Sequence, residues 1–166
     1  GQAVSGQTLG IVGCGRIGQA VAKRASGFNM RLLGADTQPN DDAKKLGIEF
    51  VPLDQLLAES DYVSLHCALT PETRGLIGEA QLRRMKPTAY LINTSRGPII
   101  DEAVLLRALT ENWIAGAAID AFVVEPLPGD HPLRSAPNLL LTPHQASFGT
   151  DTGARVLRAD GAVIDG

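Results

Sequence analysis

Three side chains in this sequence have the chemistry to hold and protonate a small carboxylic acid, and they are scattered along it: Arg96, Glu125 and His144. A guanidinium can grip a carboxylate through two parallel hydrogen bonds, and an imidazole can exchange a proton near neutral pH. A carboxylate beside that imidazole can orient the ring and favour its charged form. Those are the parts that reduction of a 2-oxo acid needs. Far upstream, Gly13-Cys14-Gly15-Arg16-Ile17-Gly18 offers a different chemistry. Glycines at this spacing make a tight turn and let backbone amides reach a pyrophosphate. Asp36 stands eighteen residues beyond Gly18, where a carboxylate can accept hydrogen bonds from the adenosine ribose hydroxyls. It would repel a 2′-phosphate, and Thr37-Gln38-Pro39 supplies no arginine to receive one. The pattern points to NAD rather than NADP.

These groups need a scaffold that brings them together, and the chain between them supplies one. Short apolar runs at Thr8–Val12, Arg31–Ala35, Glu49–Val51, Tyr62–Leu65, Ala89–Asn93, Ala115–Ile119 and Leu139–Leu141 read as strands, most of them apolar throughout, as burial on two faces requires. Helical periodicity falls between them at Ile17–Ser26, Leu53–Glu59, Glu79–Met85 and Asp101–Thr110. This alternation predicts an α/β fold: a doubly wound, mostly parallel sheet of about seven strands with helices on both faces. The glycine turn follows the first strand and opens the first helix. Arg96, Glu125 and His144 each follow the end of a later strand, the sheet edge where open α/β folds bind ligands. Prolines at 126, 128, 132 and 137 make 126–137 an ordered surface loop.

Composition excludes several other functions. The 166 residues suffice for one domain, and the net charge of −3 with a pI near 5.6 disfavours nucleic acid or an anionic membrane as partner. Cys14 and Cys67 lie far apart without metal-ligand spacing, so neither a disulfide framework nor a metal site is expected, and a cytoplasmic setting fits. His66 and Cys67 read as packing residues, without a charged partner beside them in sequence.

Four blocks together carry a resemblance. Asn93-Thr94-Ser95-Arg96-Gly97, Asp120-Ala121-Phe122-Val123-Val124-Glu125-Pro126 and Thr142-Pro143-His144 resemble the signature blocks of the D-isomer-specific 2-hydroxyacid dehydrogenases, and Leu69-Thr70-Pro71-Glu72-Thr73-Arg74-Gly75 is similar to the family's connecting segment. The resemblance implies a Rossmann NAD-binding domain over residues 1–150, with 151–166 beginning a helix towards a substrate domain. It implies that Arg96 binds the substrate carboxylate, that His144 is the acid/base, and that Glu125 holds His144 protonated. Gly13, Gly15, Arg16, Ile17 and Gly18 would meet the pyrophosphate and Asp36 the ribose. Asp120 would hold the nicotinamide side, with Thr94, Ser95 and Ala146 lining the same cleft. The sequence departs from the family at Ala121 and at Gln145-Ala146-Ser147-Phe148, neither of which removes a catalytic group.

Family members close a second lobe over the substrate, and only seven residues precede the first strand here. The expectation is therefore cofactor binding with weak or absent turnover by these residues alone, because lid closure excludes water and completes such sites. The implied partner is a small 2-hydroxy or 2-oxo acid, and the family's habit is a homodimer. An alternative stays open: the C-terminal-binding-protein corepressors resemble the same family and use NAD occupancy to control assembly rather than catalysis.

Overall fold

The computed structural model describes residues 3–147. Seven strands form one sheet: β1 (Thr8–Val12), β2 (Arg31–Ala35), β3 (Ile48–Phe50), β4 (Tyr62–Leu65), β5 (Tyr90–Asn93), β6 (Gly116–Ile119) and β7 (Leu139–Leu141). Their order is β3-β2-β1-β4-β5-β6-β7, and every neighbouring pair is parallel. Strand order therefore reverses between β1 and β4, which opens a crevice at their C-terminal ends. The helices are α1 (Arg16–Ala25), α2 (Asp41–Lys45), α3 (Leu53–Glu59), α4 (Glu79–Arg84) and α5 (Glu102–Thr110).

The side-chain alternation of the strands divides the core in two. On one face Leu9 and Ile11 of β1 pack with Ala22 and Ala25 of α1 and Ala43 of α2. On the other, Val12, Val63, Leu65, Leu91 and Ile119 meet Leu56 and Leu57 of α3, Leu82 of α4 and Leu105 and Leu109 of α5. A helix on each side is what lets the central strands be mostly apolar. β7 shows the limit of that cover: Leu139 and Leu141 pack against the larger core, whereas Leu140 between them is 63% exposed.

Helix ends differ in a way that matters for the site. Asp101 caps α5 by accepting from the amides of Ala103 and Val104, and Asn40 caps α2 by accepting from Ala43. α1 has Gly15 at its cap, no side chain closing its first amides, and no acidic residue in its first turn. Its positive end is left open.

Six expected elements, α4 and α5 among them, shift by one residue at one or both ends, and one helix is new. β3 lies one residue earlier than its apolar run suggested, because β2 pairs Leu32 with Ile48. β5 begins at Tyr90, since the Ala89 amide is turned back to the Lys86 carbonyl. β6 begins at Gly116, and α1 begins at Arg16 and passes into a 3-10 turn over Ser26–Phe28. α2 was missed because it is mostly charged and buries only Ala43; its Asp41-Asp42 start and Lys44-Lys45 end suit the helix dipole instead. The proline-rich loop contains a 3-10 turn, Pro132–Ser135, with proline at its first position where a missing N–H costs nothing. The tail helix expected in 151–166 lies outside the described residues.

Leu91 is fully buried at the middle of the sheet, between β4 and β6. Leu91→Ala is expected to lower unfolding free energy by about 2–5 kcal/mol, read as a lower urea midpoint at unchanged slope. A loss below about 1 kcal/mol would mean that Leu91 does not anchor the core on its face of the sheet.

Candidate active site

The glycine turn is set by two different constraints. Gly13 has φ +90, and a Cβ there would stand 2.4 Å from the Cys67 amide nitrogen, so the turn runs against the loop after β4. A Cβ on Gly18 would meet the Gly13 carbonyl oxygen, which is what allows α1 to sit on the turn. Gly15 is unlike both, with open space where a Cβ would be. Packing does not require glycine at that position; what its bareness leaves clear is the space before the uncapped amides of α1. A pyrophosphate fits there on charge and on room. Ile17, 68% exposed in the first turn of α1, gives that space an apolar flank, and Arg16 beside it is also exposed.

Asp36, just past β2, is oriented by two backbone donors. Its Oδ2 accepts from the Cys14 amide at 2.7 Å and its Oδ1 from the Gln38 amide at 2.9 Å. Each oxygen keeps a lone pair for a ribose hydroxyl. The same bonds tie the tip of β2 to the glycine turn, a role that sequence spacing alone had not shown. Burial pushes the Cys14 thiol up to about 12, with the Asp36 charge adding to it, and burial likewise raises Cys67. Both shifts disfavour the thiolate form at neutral pH. Burial lowers His66, whose Nε2 lies 2.9 Å from the Ser64 hydroxyl, so this ring is a neutral packing group.

Arg96 follows β5 on a short turn braced from beneath. Asn93 is fully buried; its Oδ1 accepts from the Ser95 amide and its Nδ2 donates to the Arg96 carbonyl, both at 3.0 Å. The Ser95 hydroxyl donates to the Cys67 carbonyl at 2.6 Å, joining this turn to the one after β4. Gly97 brings in the next strand end: a Cβ there would fall 2.0 Å from the Phe122 carbonyl carbon. The arginine turn therefore lies directly on the Glu125 loop. Thr94 and Arg96 are left exposed above it, the guanidinium bonded to the Ser95 carbonyl alone among the described residues.

Glu125 and His144, nineteen residues apart in sequence, meet across the sheet edge. Glu125 Oε2 lies 2.7 Å from His144 Nδ1, and its Oε1 accepts from the Phe122 amide at 2.9 Å. Burial raises the Glu125 pKa, but the hydrogen bonds from His144 and Phe122 and the charges of His144 and Arg96 outweigh it, and the net shift is downward. Arg96 is thus within electrostatic reach of the pair. A cleft of about 830 Å3 opens beside it, lined by Phe122, Glu125, Leu127, Leu141, Thr142 and His144.

His144 itself sits in the left-handed region, φ 51, which costs a non-glycine residue on the order of 1 kcal/mol. Asp120 holds it there. The Asp120 carboxylate, 3% exposed, accepts from the Thr142 hydroxyl at 2.5 Å and from the amides of Gln145 and Ala146 at 2.9 Å each. Asp120 and Ala146, expected at the cofactor side of the cleft, are also bonded to each other in the turn that carries the imidazole. Asn93 and Thr142 were read only as members of the signature blocks, and their bracing roles escaped the sequence, which signals each only as a polar residue at the end of an apolar strand.

Comparison with known proteins identifies the family and the fold. The family model described as D-isomer specific 2-hydroxyacid dehydrogenase, NAD binding domain, matches residues 1–146. A glyoxylate reductase of Korarchaeum cryptofilum is 56% identical over 157 residues, covering 94% of this chain and 47% of that protein. Among solved structures, the TT0316 protein of Thermus thermophilus superposes with a TM-score of 0.86 at 46% identity, covering 93% of this chain and 48% of the other. The NAD-complexed D-isomer specific 2-hydroxyacid dehydrogenase of Lactobacillus delbrueckii ssp. bulgaricus gives 0.84 at 31% identity, covering 98% and 56%. The chain spans about half the length of the curated relatives it matches. Among the described residues no helix is long and apolar enough to cross a membrane.

The Asp120 clamp makes a stability prediction with a sign. Burial raises its pKa, yet the hydrogen bonds from Thr142, Gln145 and Ala146 and the His144 charge bring it below the usual aspartate range. A carboxyl depressed on folding contributes stability that is fully present above its unfolded pKa of about 4 and is lost as pH falls through the lower folded value. Asp120→Asn is expected to lower stability at neutral pH by about 1–3 kcal/mol and to flatten the acid limb of the stability curve, measured by urea unfolding from pH 7 down to pH 3. An unchanged acid limb would remove Asp120 from the account of how His144 is held.

Proposed function

The chain belongs to the D-isomer specific 2-hydroxyacid dehydrogenases, and from that premise we propose that its parent protein reduces a small 2-oxo acid, glyoxylate first among candidates, with NADH. The observation that carries this reading is the 2.7 Å pairing of Glu125 with His144 on the sheet edge that also bears Arg96. The relatives named glyoxylate reductase suggest the substrate. Both the glycine turn and Asp36 have the form that NAD requires.

NAD, when bound, supplies or receives the hydride. Everything else falls to the chain. Arg96 binds the substrate carboxylate and draws electron density from the adjoining carbonyl. Glu125 accepts from His144 Nδ1–H, which fixes the ring's orientation and leaves Nε2 as its working atom. In its protonated form Nε2 gives its proton to the carbonyl oxygen, and in the reverse direction neutral Nε2 takes it back. The Phe122 amide keeps the second Glu125 oxygen occupied, so the carboxylate does not swing towards Arg96 and the substrate's own anion.

In the protein as encoded, His144→Gln is expected to lower kcat for glyoxylate reduction by about 100-fold or more with NADH affinity retained, and Arg96→Lys to act mainly on kcat/KM. NADH binding with no turnover of any 2-oxo acid would refute the oxidoreductase reading. Asp36→Ala should raise the NADH dissociation constant about tenfold while leaving NADPH binding no worse. Equal losses for both cofactors in the same titration would show that Asp36 serves the glycine turn only.

A further inference from the structure

A second carboxylate and a second imidazole lie just behind the Glu125 loop, and the reaction as described makes no use of them. Glu102 opens α5 five residues after Gly97, with its side chain 15% exposed. Its Oε1 accepts from the Val123 amide at 2.8 Å, and its Oε2 lies 3.5 Å from His131 Nε2. The Leu133 amide donates to His131 Nδ1 at 3.3 Å, so a neutral His131 carries its proton on Nε2, facing Glu102. Leu133 is in turn buried in the main core. Two successive amides of the loop, Phe122 and Val123, thus go to two different carboxylates: the first to Glu125 itself, the second to Glu102.

We propose that Glu102 is a positioning residue for the Glu125–His144 pair, acting through its hold on the Val123 amide with His131 as its brace. The physical reason lies in the exposure of the loop. Val123 and Val124 are 52% and 57% exposed, so apolar burial does little to fix the two residues that lead into Glu125. Gly97 against Phe122 fixes one side of that segment by contact, and Glu102 fixes the next residue by a charge-assisted bond. With that bond gone, Val123 and Val124 can shift while Phe122 stays against Gly97, so the Glu125 carboxylate moves relative to the Phe122 amide and the Oε2–Nδ1 alignment goes with it. The proposal rests on reading Glu125 and His144 as the proton-transfer pair. Arg96 acts electrostatically on Glu125 and His144 on Asp120, whereas Glu102 and His131 stand behind the loop and bond to each other and to the Val123 and Leu133 amides.

The test uses the protein as encoded and three substitutions. Glu102→Ala removes the acceptor. Glu102→Asp keeps a negative charge in the first turn of α5 but draws it back from Val123, so it separates the clasp from a helix-dipole effect. Glu102→Gln keeps an acceptor oxygen of the right reach. Glu102→Ala and Glu102→Asp are expected to lower kcat for 2-oxo acid reduction about tenfold or more, with the NADH dissociation constant within about twofold and the pH profile of kcat shifted; Glu102→Gln restores most of kcat. Long-range 15N–1H correlation of the labelled histidines reads the His144 tautomer without turnover. The parent should show the Nδ1–H form, and the Ala and Asp variants a mixture. A folded Glu102→Asp with parent-like kcat, pH profile and tautomer overturns the proposal, as does a Glu102→Gln no better than alanine. If the parent reduces no 2-oxo acid, the proposed function fails, while the tautomer comparison still decides the role of Glu102.

Discussion

The hydrogen bond between Glu125 and His144 constrains more of this molecule than its 2.7 Å would suggest. It requires an imidazole delivered by one strand end to meet a carboxylate delivered by another, with the ring turned so that only Nδ1 is engaged. Neither residue is fixed by burial, since their side chains are roughly one-third exposed. Their placement therefore depends on polar bonds to groups that are buried. Asp120 supplies those for His144, the Phe122 amide for Glu125, and Asn93 for the Arg96 turn beside them. A left-handed histidine persists where the surrounding bonds over-determine it, and three bonds to one carboxylate do so.

The distribution of buried polar residues follows the same logic. Ser60, Ser64, Asn93 and Asp120 are the fully buried polar side chains among the described residues, and three of them lie within or directly after β4, β5 and β6. Buried polar groups are tolerated when every donor and acceptor is met, and among the described residues no buried side-chain nitrogen or oxygen lacks a partner. The opposite edge is held by pairs of a different kind. Arg31 with Glu49 and Glu59 lies largely in solvent, where such pairs add little to stability. Polar precision is concentrated where ligands bind, and the remainder of the sheet relies on apolar packing.

Electrostatics divide the crevice into two functions. At the glycine turn the helix end stays uncapped and free of acidic residues, which leaves a site attractive to phosphate. Across the sheet reversal, Arg96 presents an exposed positive charge. On either side of these the acidic side chains are bound to amides or to the imidazole: Asp36 by Cys14 and Gln38, Asp120 by the histidine turn, Glu125 by Phe122 and His144. Carboxylates held in this way can line a site for anionic ligands because their charge is directed at donors of the protein itself.

The strands, most of the helices and the three candidate catalytic side chains were legible in the sequence, because apolar periodicity and strand-end position are local properties. Helix α2 was not, since capping and end charges rather than an apolar stripe hold it. Nor were the roles of Asn93, Asp120, Thr142 and Glu102, whose partners lie up to 26 residues away and are mostly backbone amides with no sequence signature. The order of residues alone dictates the alternation of elements and the kinds of chemistry placed at their ends. Which amide each carboxylate grips emerges only from the folded chain, because it depends on how closely turns after different strands approach, as Gly97 does Phe122. That approach is a property of the packed sheet rather than of any one segment.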